Sequence, residues 1–139
     1  MDAYGRIVCK AFGVPDVLAD DNQLKAASAA LLRATGIGID DQSALLWQLA
    51  AQAYIETATT MLREHRLDAV IGEYALPFPH DSGIGTAIAE LIANARDRVR
   101  DLAGTKLHAP EAKVLASSLI DVLISWVRAN PNCLREEDR

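Results

Sequence analysis

Residues 39–71 read IDDQSALLWQLAAQAYIETATTMLREHRLDAVI, an unbroken run between Gly38 and Gly72 with no glycine or proline. Alanine, leucine, glutamine and glutamate dominate it, and all four lose little free energy on entering a helix. A stretch so long and so free of breakers predicts a long α-helix, bent at most once, with Asp40 or Asp41 capping its start. Its first half, Ala44–Ile55, is apolar nearly all round, as expected of a helix covered on most sides. Its second half narrows to the stripe Trp47, Ala51, Tyr54, Ala58, Leu62, His65 and Ala69, and a bend or break is expected near Leu67–Gly72.

The flanking sequence reads as further helices. Tyr4, Ile7, Val8, Ala11 and Phe12 fall at helical spacing over Asp2–Phe12, with Gly13 as the stop, and Pro15 opens a short piece beyond it. Asp20 and Gln23 are spaced as a capping box ahead of Leu24, Ala27, Ser28, Leu31 and Thr35, and Gly36 stands where a left-handed C-cap belongs. After the Pro77–Pro79 block, Ile84, Ile88, Leu91, Ile92, Ala95, Val99 and Leu102 repeat at helical intervals up to an expected stop at Gly104. Pro110 and Glu111 open a last helix, Glu111–Ala129, ended by Asn130-Pro131. No strand pattern or internal repeat is present. The expected fold is all-α: one domain over 1–139, a compact bundle of five to six helices around one long central helix, with a loose tail over about 130–139.

Composition narrows the function. A chain of 139 residues with half of them hydrophobic can bury a core without staples. A net charge of −5 argues against nucleic-acid binding. Ile7–Leu18 resembles the start of a helix-turn-helix, yet Asp16, Asp20 and Asp21 would meet phosphate where a reading helix should sit. The apolar runs fall short of the roughly 20 residues of a membrane span. Cys9 and Cys133 read as two reduced thiols, which with the lack of a signal-like start places the protein in the cytoplasm. Arginine outnumbers lysine and alanine is the commonest residue, the usage of a GC-rich bacterial genome.

Three readings of function follow. In the last helix Ala112, Leu115, Ala116, Leu119, Ile120, Val122, Leu123, Ile124, Trp126 and Val127 cover about half the circumference, more than one neighbouring helix uses. The main expectation is therefore a non-enzymatic protein acting through protein–protein contact as a homodimer. Ile120, Ile124, Trp126 and Val127 are the candidate interface, with the Ile84 helix beside them. The second reading is a small-molecule-binding, sensor-like helical domain using a pocket of Trp47, Tyr54 and His65, against which stands ordinary core packing of the same residues.

The third reading rests on His80-Asp81. The pair resembles the metal-binding dipeptide of HD-domain phosphohydrolases, and Ser82-Gly-Ile-Gly85 is similar to the small residues that follow it there. The resemblance covers a dipeptide and implies a divalent metal activating water, with His65 and Asp121 as further ligands. The competing reading has Asp81 or Ser82 capping the Ile84 helix with His80 exposed. Gly83-Ile-Gly85 lacks the preceding strand and third glycine of a dinucleotide fingerprint. Glu-x-x-His repeats, zinc-type His/Cys spacing and a Gly-x-Ser-x-Gly nucleophile are all missing from the sequence, so no cofactor and no catalytic residue is expected.

Overall fold

The computed structural model describes residues 20–37, 44–64, 66, 83–107 and 110–130. They form four α-helices: α1 (Asp21–Thr35), α2 (Ala44–Arg63), α3 (Gly83–Leu107) and α4 (Pro110–Ala129). No strand occurs among the described residues. The all-α expectation holds. The further helix expected at Asp2–Phe12 lies outside the described residues.

α1 begins and ends as its sequence dictates. Asp20 is extended and its side chain accepts from the Gln23 amide at 2.9 Å, satisfying a donor the first turn would otherwise leave bare. Gly36 adopts φ 72°, and its amide donates to the Leu32 carbonyl at 3.0 Å. Only a residue without Cβ takes that left-handed conformation at no steric cost. Leu24, Ser28 and Leu31 form the buried face, and Ser28 returns its hydroxyl to the Leu24 carbonyl at 2.8 Å.

α2 packs against all three other helices. It differs from the expected long helix at both ends. Glu64 and Arg66 are turn residues, with the Arg66 amide donating to the Met61 carbonyl at 2.9 Å. The helix thus stops earlier than the expected break, and α3, at 25 residues, is longer. The first turn of α2 is open rather than buried, with Leu45 half exposed. The fully covered stretch is displaced toward Leu49, Ala50, Ala51, Ala53, Tyr54, Ile55, Ala58 and Met61. Its many alanines let neighbouring backbones approach closely while burying apolar surface.

Successive contacts set the direction of α3. Glu56 and Met61 along α2, and Arg66 in the turn after it, meet Arg98, Asn94 and Glu90 in turn, so the two helices are antiparallel. α3 and α4 are antiparallel likewise, since Arg96 pairs with Asp121 and Gly104 faces Lys113. Gly104 is not the expected stop: α3 continues through it to Leu107. A Cβ built at Gly104 would lie 2.8 Å from Lys113 Cε, so the glycine lets the lysine stem cross the helix there.

The core is one cluster contributed by every helix, including Leu31, Leu49, Tyr54, Met61, Leu91, Val99, Ile120 and Leu123. α4 ends at Ala129, where Asn130 donates from its amide to the Val127 carbonyl and from Nδ2 to the Trp126 carbonyl at 2.9 Å.

Candidate functional site

Two surfaces stand out among the described residues: an apolar stripe on α4 and a polar groove between α2 and α3.

On α4 the broad apolar arc divides in two. Ala116, Ile120, Leu123, Ile124 and Val127 are buried against their own chain. The beside-lying positions are not: Leu115 and Val122 are 49 % and 46 % exposed, and Leu119 and Trp126 only partly covered. Ala112, Leu115, Leu119, Val122 and Trp126 follow alternating spacings of three and four, the seam pattern of a helix that packs on another helix. The outward flank of that stripe carries Glu111 in the first turn and then the hydroxyls of Ser118 and Ser125, with Val114 72 % exposed beyond them. Ser118 turns its hydroxyl back to the Val114 carbonyl at 3.1 Å.

Of the interface residues expected from the sequence, then, Ile120, Ile124 and Val127 lie in the core and leave no area for a second chain, while Trp126 belongs to the half-covered stripe. The helical wheel cannot say which part of a wide arc the fold uses. The position of α3, tied to α4 through Arg96 and Asp121, decides it.

The groove has a volume of about 610 Å³ and is lined by Glu56, Thr57, Thr59, Thr60, Met61 and Arg63 of α2, by Arg66 in the turn after it, and by Asn94 and Arg98 of α3. Arg98 Nε donates to Glu56 Oε2 at 2.6 Å. That carboxylate hydrogen bond raises the Arg98 guanidinium above its already high ordinary value, with burial opposing it and the charges of Glu56 and Asp101 assisting. Arg66 pairs with Glu90 and also donates to Glu64 at 2.8 Å. Asn94 Nδ2 lies 3.9 Å from Met61 Sδ. Thr59 is buried, and its hydroxyl oxygen has no hydrogen-bond partner within the chain.

The aromatic stripe of α2 sits elsewhere. Tyr54 is completely buried in the core and Trp47 packs partly covered against it; neither borders the groove. His65, His80 and Asp81 lie outside the described residues. Asp121, the remaining ligand implied by the HD-like resemblance, is engaged by Arg96. Among the described residues no three His, Cys, Asp or Glu side chains gather to hold a metal ion.

Sequence reading missed the groove. Its trace is present, since Glu56, Thr59, Thr60 and Arg63 put a polar line at helical spacing into an alanine-rich run. The α3 half, Asn94 and Arg98, reads alone as part of a solvated mixed-charge face, and only the antiparallel register brings the two halves together. Comparison with protein-family models, with curated proteins and with solved structures finds no match. What can be stated of class is therefore a bundle-type all-α fold, and function rests on the two surfaces.

Proposed function

We propose that this chain acts through protein–protein contact as a homodimer, joined through α4. The observation that carries the reading is the stripe of half-exposed Leu115 and Val122 with partly covered Leu119 and Trp126, apolar and regularly spaced on a helix whose other face already fills the core. Leaving such a stripe in water forgoes roughly 25 cal/mol for each Å² of apolar surface, and covering it recovers that term.

A second copy suits the stripe because it complements itself when two α4 helices run antiparallel about Leu119. Leu115 then faces Val122, and the small Ala112 faces the large Trp126, so the two outlines interlock instead of colliding. The small side chains Ser118 and Ser125 allow close approach, and antiparallel helix dipoles attract. No described helix is long and apolar enough to cross a membrane; the reading places the dimer in a bacterial cytoplasm, where Cys9 and Cys133 stay reduced.

Sedimentation equilibrium on the full chain tests it. The wild type is expected to be dimeric at about 100 µM, a concentration that detects a micromolar interface with ease. The double variant Leu115→Glu, Val122→Glu is expected to be monomeric with unchanged helicity, since both positions are exposed. A wild type that stays monomeric, or a variant that still dimerises, overturns the proposal.

A further inference from the structure

We draw no further inference here: the strongest candidate, the groove between α2 and α3, has its arginines already engaged within the chain, Arg98 by Glu56 and Arg66 by Glu64 and Glu90, and nothing in the structure shows what covers it.

Discussion

Arg98 of α3 donates through Nε to Glu56 of α2 at 2.6 Å, and the pair joins the two helices at the edge of the groove. With Arg66 bridged to Glu90 further along, the α2–α3 contact is laced by ion pairs on the surface side and packed by Tyr54, Met61, Leu91 and Val99 beneath.

Those ion pairs are expected to orient the helices more than to stabilise them. The side chains of Arg98 and Glu56 are 45 % and 25 % exposed, so water and salt screen their attraction. Glu56→Gln should cost less than about 1 kcal/mol, shrinking further in high salt. Urea denaturation at two salt concentrations measures it, and a loss of several kcal/mol would show that the pair is more deeply shielded than its exposure implies.

Thr59→Val should raise stability by about 1 kcal/mol, because the substitution keeps the shape and removes a buried hydroxyl that has no partner in the chain. Thermal denaturation checks this. A destabilised variant would mean that the hydroxyl is already satisfied in the folded protein.

Two leucines on one helix should behave differently. Leu123 is fully buried, and Leu123→Ala is expected to cost about 2–5 kcal/mol through lost burial and the cavity left behind. Leu115 is half exposed, and Leu115→Ala should cost the folded monomer well under about 1 kcal/mol while weakening the proposed dimer. Denaturation followed at high and low protein concentration separates the two effects.

Gly36 and Gly104 should also diverge. Gly36 holds φ 72°, so Gly36→Ala is expected to destabilise by about 1 kcal/mol through left-handed strain. Gly104 is helical, and the added methyl would meet only the movable end of Lys113. Gly104→Ala should therefore be neutral or stabilise by up to about 1 kcal/mol, the gain in helix propensity. Calorimetry on both variants gives the two signs directly.

Local sequence signals were read correctly where local chemistry controls the outcome. The Asp20 cap, the Gly36 stop and the end of α4 at Ala129 all depend on residues within one helical turn of each other. Signals failed where a distant element intervenes. Gly104 resembles a terminator, but in the fold it makes room for the Lys113 stem. Ile120, Ile124 and Val127 resemble a spare apolar face until α4 is docked, when they become core and Leu115 and Val122 remain outside.

By itself the sequence determined the class of fold, because helix propensity, capping and a 3.6-residue apolar period act over a few neighbouring residues. It also determined that α4 carries more apolar surface than one helix contact needs. Which half of that surface stays open, and that Glu56, Thr59 and Arg63 would face Asn94 and Arg98 across a groove, depended on helix register. Register is set by how the Ala-rich face of α2 packs against α3 and α4, a property of side chains far apart in the chain, and only the tertiary structure decides it.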